Sequence, residues 1–396
     1  MPRRSPRLPN EEQVRQALRS VLDPEIGKPI EDLGMLKEIR VAGSTVEVDV
    51  LLTIAGCPLR ETITRDVTAA VSALEGVENV EVSLTPMSEE QRGALAGQLR
   101  GGAGALEKTF FTEGDTSVVA VASGKGGVGK SSVTVNLAAA LAADGYRVGI
   151  LDADVWGFSI PRMMGVQGSQ PVGFNSMILP IESHGVKIIS MGFFVSEETP
   201  VMWRGPMLHK AVQQFLGDVY WGNLDILLCD LPPGTGDVSI SLASFLPGAS
   251  MIVVTTPQEA ARKVAERAGK MAAETKMKAL GVIENMSFFL CPHCGEKTNI
   301  FGEGGGGEAA RTLGVPLLGQ VPLMPALREG GDSGTPLVVS DPDSPAGTAL
   351  RAAARDLMKL TKSKVGKPLQ LTVAGGGHGG QAAGHGGQAG HEGHSH

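Results

Sequence analysis

Cysteine is scarce in this 396-residue chain: Cys57, Cys229, Cys291 and Cys294 are too few to staple a protein of such length. A disulfide-built secreted scaffold is excluded, which leaves the thiols for structural, catalytic or metal-binding use in a reducing compartment. Long apolar runs are missing too. No stretch approaches the ~18–20 apolar residues that would span a bilayer, and the opening residues MPRRSPRLPNEEQ lack the apolar centre of a signal peptide. A cytoplasmic protein with no membrane partner is expected. Positive charge is not in excess either: 35 Lys and Arg against 42 Asp and Glu leave a net charge of -7. That balance offers no general attraction for phosphate backbones or anionic lipid, so no nucleic-acid partner is expected. Glycine is abundant instead, with 54 residues, about twice the ordinary ~7%.

The chain divides by pattern. After a Pro/Arg arm over residues 1–10, residues 11–22 carry Val14, Leu18, Val21 and Leu22 at helical spacing, and Asp23-Pro24 ends the run. Apolar-rich runs at 35–41 and 45–53 flank Ala42-Gly43-Ser44 as a hairpin should. Cys57-Pro58 opens a helix reaching Leu74, and 77–84 reads as a strand. Residues 11–87 are therefore expected to form a small α+β domain. The polar segment 88–115, with Gly101, Gly102 and Gly104, has the composition of a flexible linker. From 116 to 361 short, doubly apolar runs at 117–122, 147–151, 224–228, 251–255 and 280–283 alternate with helical stretches. This is the signature of an α/β domain with a parallel sheet covered on both faces. Residues 362–396 lose apolar periodicity and become Gly/His-rich, so a disordered tail is expected.

The strongest motif is Gly124-Lys125-Gly126-Gly127-Val128-Gly129-Lys130-Ser131, followed by Ser132, directly after a strand and opening a helix. Glycines let backbone N–H groups converge on phosphate oxygens, the helix N-terminus adds positive potential, Lys130 meets the β/γ-phosphates and Ser131 ligates Mg²⁺. The same letters contain Gly124-x-Gly126-x-x-Gly129, a dinucleotide fingerprint, with Asp152 about 20 residues on. Lys130-Ser131 decides for the phosphate loop, because a dinucleotide site does not need them. Asp230, after the apolar run Ile226-Leu227-Leu228-Cys229, adds a carboxylate placed for the magnesium shell. A second motif, Cys291-Pro292-His293-Cys294-Gly295, is a C-x-x-C knuckle suited to zinc, an iron–sulfur cluster or a redox disulfide. One chain supplies only one such pair, and a twofold dimer would supply the second. Cys229, inside an apolar strand, reads as inert core.

Lys125, the second lysine of the loop, resembles the deviant Walker A of the MinD/ParA-like ATPases. The resemblance implies a parallel-sheet P-loop NTPase fold, slow ATP hydrolysis and a homodimer in which Lys125 reaches the partner's phosphates. By the same likeness Asp154, in Leu151-Asp152-Ala153-Asp154, would orient or deprotonate the attacking water, and Asp152 would support the magnesium shell. The stretch from Asp230 to Asp237 resembles Walker B and switch II. Taken with Arg204-Gly205-Pro206-Met207, Asn285-Met286-Ser287 and the C-x-x-C knuckle, the chain resembles the Mrp/ApbC family of iron–sulfur cluster carrier ATPases. That likeness implies ATP and Mg²⁺, a [4Fe-4S] cluster on Cys291 and Cys294 of two subunits, and Asn285 against the adenine. It also implies apo iron–sulfur proteins and an assembly scaffold as partners. The amino-terminal segment, with Asp23-Pro24-Glu25 and Gly56-Cys57-Pro58, resembles a SufT-like (DUF59) domain in which Cys57 is an accessory thiol. No T/NKxD guanine box accompanies Asn285, which favours ATP over GTP. The tail histidines His378, His385, His391, His394 and His396 supply the alternative, a nickel or zinc metallochaperone NTPase. A MinD/ParA-type positioning role is disfavoured, since no basic amphipathic C-terminal helix or Lys/Arg stripe is present.

Overall fold

The computed structural model describes residues 8–24, 26–53, 60–99, 116–154, 157, 159–174, 177–194, 205–234, 237–246, 248–258, 261–291 and 293–362. The sequence expectations for Cys57, Glu25, Arg204, most of the linker and the histidine tail lie outside those residues. The amino-terminal domain opens with α1 (Glu11–Leu18), started by a capping box in which Asn10 accepts from the Gln13 N–H at 2.8 Å and the Gln13 side chain accepts from the Asn10 N–H at 3.0 Å. The helix ends at Leu18 rather than at 22. Leu22 pairs with Pro29 in an isolated bridge, and Asp23 folds the chain back by accepting the Ile26 N–H at 2.8 Å. Strands β1 (Leu36–Ala42) and β2 (Thr45–Leu52) form the expected antiparallel hairpin, turning at Gly43 with φ +64°. Helix α2 (Arg60–Ser72) then crosses over to β3 (Asn79–Pro86), which lies parallel to β2.

The next segment corrects the sequence reading. Residues expected to belong to a flexible linker form α3 (Glu89–Leu99), which buries Leu95, Ala96 and Leu99 in the amino-terminal core. Its start is written in the sequence as Ser88-x-x-Gln91. Ser88 Oγ accepts the Gln91 N–H at 3.2 Å and Gln91 Oε1 accepts the Ser88 N–H at 2.9 Å. Polar composition concealed a helix with one buried stripe.

The larger domain follows as β4 (Ser117–Ser123), α4 (Lys130–Ala143), β5 (Val148–Asp152), α5 (Ile160–Met163), β6 (Val172–Phe174), β7 (Met177–Leu179), β8 (Ile181–Ser183) and β9 (Val186–Ser190). It continues as α6 (Gly205–Gly217), β10 (Ile226–Asp230), α7 (Asp237–Phe245), β11 (Ser250–Thr255), α8 (Ala261–Thr275) and β12 (Lys278–Leu290). The last elements are β13 (Lys297–Thr298), α9 (Gly305–Leu313), β14 (Leu317–Leu323), α10 (Pro325–Ser333), α11 (Leu337–Ser340) and α12 (Pro345–Lys362). The main sheet has the order β13-β12-β11-β4-β10-β5-β9-β8, with β14 parallel to β12. Its centre is parallel, while β8 and β13 pair antiparallel at the margins.

One apolar layer, including Val212, Leu216, Leu242 and Met271 of α6 to α8, covers one face. The other face is covered by α4, α11 and α12 through Val133, Leu137, Leu337, Leu350 and Leu357. This two-sided burial is why the strands read as continuous apolar runs. The hairpin β6–β7 stands apart from the sheet. Its Met177 and Leu179, with Tyr220, are buried in the same cluster as the core of the amino-terminal domain.

Candidate functional site

The phosphate loop lies at the carboxyl ends of the strands, where chain order switches from β4 to a neighbour on either side. Gly129 is the N-cap of α4 with φ +78°, a left-handed conformation that disfavours any side chain. A Cβ there would also displace the Asn285 amide that donates to the loop. The rim is held from outside the motif: Arg267 Nη1 donates to the Gly124 carbonyl at 3.0 Å, and the Lys125 ammonium donates to Gln258 Oε1. Ser132 lies half-buried on the first turn of α4.

Register places Asp230 beside Asp152 on adjoining parallel strands, both fully buried. Lys130, 6% exposed, donates to Asp230 Oδ2 at 2.6 Å, and Ser131 Oγ donates to the same oxygen at 2.6 Å. Thr134, one turn along α4, donates to the other oxygen at 2.7 Å. Such a buried pair is strongly destabilised, by about 3–5 kcal/mol, when one partner is removed, because the other charge is left uncompensated. Asp152 accepts from Ser190 Oγ at 2.7 Å and from the Asp154 N–H at 3.2 Å. Burial first, and then the Asp230 charge, push the Asp152 carboxyl up to about 8. Asp154 is 8% exposed, and its Oδ2 stands 3.8 Å from the Lys130 ammonium. The structure thus brings Lys130, Ser131, Asp152, Asp154 and Asp230 together. Beside the Lys130 ammonium, Ser131, Asp152 and Asp230 offer oxygen, the ligand type a hard divalent cation takes.

Asn285, on β12, is 2% exposed and donates from Nδ2 to the Val128 carbonyl at 2.9 Å. Its Oδ1 is buried without a hydrogen-bond partner among the described residues. Six residues further, β12 runs into the cysteine knuckle. The turn is closed by the Cys291 N–H donating to the Glu296 carbonyl at 3.0 Å and the Gly295 N–H donating to the Cys291 carbonyl at 2.8 Å, with Gly295 at φ +71°. Cys291 is half-buried and Cys294 exposed. Backbone N–H groups of Cys294 and His293, then the Cys294 side chain, hold the Cys291 thiol below its ordinary range. Lys297 caps the hairpin over the Phe288 ring at 4.2 Å. Among the described residues no cluster of three or more His, Cys, Asp or Glu is arranged as a metal site, so none of them gives the pair a third ligand. Cys229 is fully buried in β10, its thiol pushed far up by desolvation, as an inert core residue should be.

Sequence reasoning missed several residues. Thr134 was visible as the residue one turn beyond Lys130. Ser190, Gln258, Arg267 and Glu284 carry no motif and are found only through the fold.

A family model described as the NUBPL iron-transfer P-loop NTPase matches residues 115–358, and one described as an iron-sulfur cluster assembly protein matches residues 11–84. The iron-sulfur cluster carrier protein of Mycobacterium tuberculosis (strain ATCC 25618 / H37Rv) is 53% identical over 368 residues, covering 90% of this chain and 96% of that protein. The iron-sulfur cluster carrier protein of Bacillus subtilis (strain 168) is 41% identical over 316 residues, covering 79% and 88%. Among solved structures, a nucleotide-binding protein in complex with ADP from Archaeoglobus fulgidus has a TM-score of 0.50 at 40% identity, covering 55% of this chain and 86% of that one.

Proposed function

The chain belongs to the NUBPL iron-transfer P-loop NTPase family, and from that premise we propose that it is an ATP-dependent iron–sulfur cluster carrier, binding its cargo at Cys291 and Cys294 and passing it to apoproteins. The observation that carries the reading is a single strand. β12 touches the phosphate loop through Asn285 and ends in two accessible thiols with no third ligand from the same chain among the described residues. An incomplete, accessible thiolate set suits cargo that must leave again, whereas a structural metal is usually enclosed by four ligands. Two subunits facing each other would complete four thiolates for a [4Fe-4S] cluster.

In this reading the loop N–H groups from Gly124 to Gly129 and the α4 N-terminus hold the phosphates of ATP, with Lys130 on the β/γ oxygens. Ser132 adds a hydroxyl at the helix start, and Asn285 faces the base with the oxygen that has no partner among the described residues. Ser131, Asp152 and Asp230 would hold Mg²⁺, which when bound neutralises phosphate charge. Asp154, close to Lys130, orients the attacking water or takes its proton. Lys125 exchanges Gln258 for the partner subunit's phosphates, which makes hydrolysis slow in the monomer and dependent on a homodimer. Cys57 serves as an accessory thiol, an assembly scaffold and apo iron–sulfur proteins are the partners, and the cytoplasm is the place of action.

The test is anaerobic purification with iron, acid-labile sulfide, zinc and nickel measured per subunit, in wild type and in a Cys291→Ala/Cys294→Ala variant. About two iron and two sulfide per subunit, absent from the variant, are expected from one [4Fe-4S] shared by two chains. Zinc or nickel without sulfide would replace the proposal with a metallochaperone role.

A further inference from the structure

Glu284 is a carboxylate buried to 1% exposure in β12, immediately before the asparagine that touches the phosphate loop. Among the described residues its carboxylate hydrogen-bonds to none of the groups of the nucleotide cluster. Oε1 accepts from Ser287 Oγ at 2.8 Å and from Gln320 Nε2 of β14 at 2.7 Å, and Oε2 accepts the Gly306 N–H at the start of α9. Gly306 has no room for a side chain, because a Cβ there would stand 2.5 Å from Glu284 Cβ. The positive end of α9 and three donors offset the desolvation of the charge. One side chain therefore ties three elements together at a single point.

Against β14, β12 departs from regular register twice, between Val282 and Ile283 and again just beyond Glu284. Asn285 lies opposite Val321 and Phe289 opposite Leu323, so four steps on β12 meet two on β14. The surplus is a bulge containing Met286, whose φ of +55° is rare for a side chain of its size. Ser287, within the bulge, is fastened back to Glu284 through both the carboxylate and the backbone carbonyl, the latter at 2.9 Å. On one flank the bulge meets the nucleotide loop, with Asn285 on the Val128 carbonyl and the Met286 methyl 3.7 Å from where a Gly129 Cβ would be. On the other flank the strand resumes at Phe289 and ends at Leu290, directly before Cys291.

We propose that Glu284 is a positioning residue that anchors the Asn285–Phe289 bulge, so that nucleotide occupancy at the phosphate loop is transmitted along β12 to Cys291 and Cys294. The proposal rests on the reading of loop and thiols given above, and adds how one informs the other. A displacement of Asn285 cannot relax toward the amino-terminal half of β12, because Glu284 is clamped to β14 and α9. It passes instead through the bulge, which lies on the cysteine side of the clamp, and re-aims the cysteine hairpin. Close-packed elements respond by switching between discrete arrangements rather than by bending smoothly.

The test uses the full-length, metal-free protein under anaerobic reducing conditions. Iodoacetamide alkylation rates of Cys291 and Cys294 are resolved from those of Cys57 and Cys229 by peptide mass spectrometry, with and without Mg²⁺ and a non-hydrolysable ATP analogue. Wild type should change its rate at the pair by about fivefold or more on nucleotide binding, the lower end of allosteric couplings. Glu284→Gln keeps the shape but sets an amide N–H against one of its former donors. It should cut the response to under about twofold, with nucleotide affinity within about threefold of wild type. A purely structural role would lower the melting temperature and leave the ratio of rates intact. Should Glu284→Gln fail to fold, Ser287→Ala removes the fastening of the bulge alone and is read the same way. A wild-type protein that binds nucleotide without altering thiol reactivity overturns the coupling and leaves the carrier reading standing, as does a variant with the full wild-type response. A wild-type protein that binds no nucleotide overturns the reading beneath it, and this proposal with it.

Discussion

Thr134→Val tests whether the buried carboxylate Asp230 is held from the helix as well as from the phosphate loop. Both residues are fully buried, and the Thr134 hydroxyl donates to Asp230 Oδ1 at 2.7 Å, while Lys130 and Ser131 occupy Oδ2. Valine copies the shape of threonine and removes only the donor. It leaves one carboxylate oxygen buried without its partner, a loss of about 1–3 kcal/mol. Taking ~2 kcal/mol for a domain of this size, the melting temperature should fall by about 4–8 °C. Thr134→Ser keeps the donor and loses one methyl, about 0.8 kcal/mol, and should melt between the two. Scanning calorimetry of the nucleotide-free protein reads the effect, the relevant transition being the one that Mg-ATP raises by binding the folded state. A valine variant melting within about 1 °C of wild type, or a serine variant losing as much as valine, would refute the assignment.

Two further outcomes follow from the electrostatics. Cys291, whose thiolate is stabilised by the N–H groups of Cys294 and His293, should show an alkylation rate that rises with pH about a midpoint below the ordinary ~8.5 of a free cysteine, and a midpoint at or above that value would contradict the hairpin geometry. Asp152 is raised in the folded state to about 8 from an ordinary 3.8, so the folded protein binds its proton more tightly than the unfolded chain. Its contribution to metal-free stability is therefore full below about pH 4 and is lost as pH rises toward 8. The stability of Asp152→Asn relative to wild type should accordingly grow across that window in denaturant titrations, and a pH-independent difference would sink the reading.

The legible parts of this molecule are those whose partners are close in sequence. The phosphate loop, its strand and its helix are contiguous, and the glycines at 127 and 129 adopt the positive φ their type allows. The amino-terminal hairpin likewise turns where Ala42-Gly43-Ser44 said it would. Even helix α3, polar in composition, carries a local signal in the reciprocal caps of Ser88 and Gln91. Short strands such as β8 and β13 were not legible, since a run of two or three residues has no period to detect.

Local residue chemistry by itself determined the nucleotide-binding loop, the α/β core covered on both faces and the thiol pair, because backbone conformation, apolar periodicity and ligand type are properties of neighbours along the chain. Tertiary structure alone decided which distant groups meet. Asn285 reaches the Val128 carbonyl across 157 positions, Ser190 reaches Asp152 across 38, and Glu284 joins α9 and β14 across 22 and 36. Those contacts follow from strand order and register in the sheet, where a carboxylate is paired or orphaned according to which strand lies beside it, and no spacing along a single chain encodes that choice.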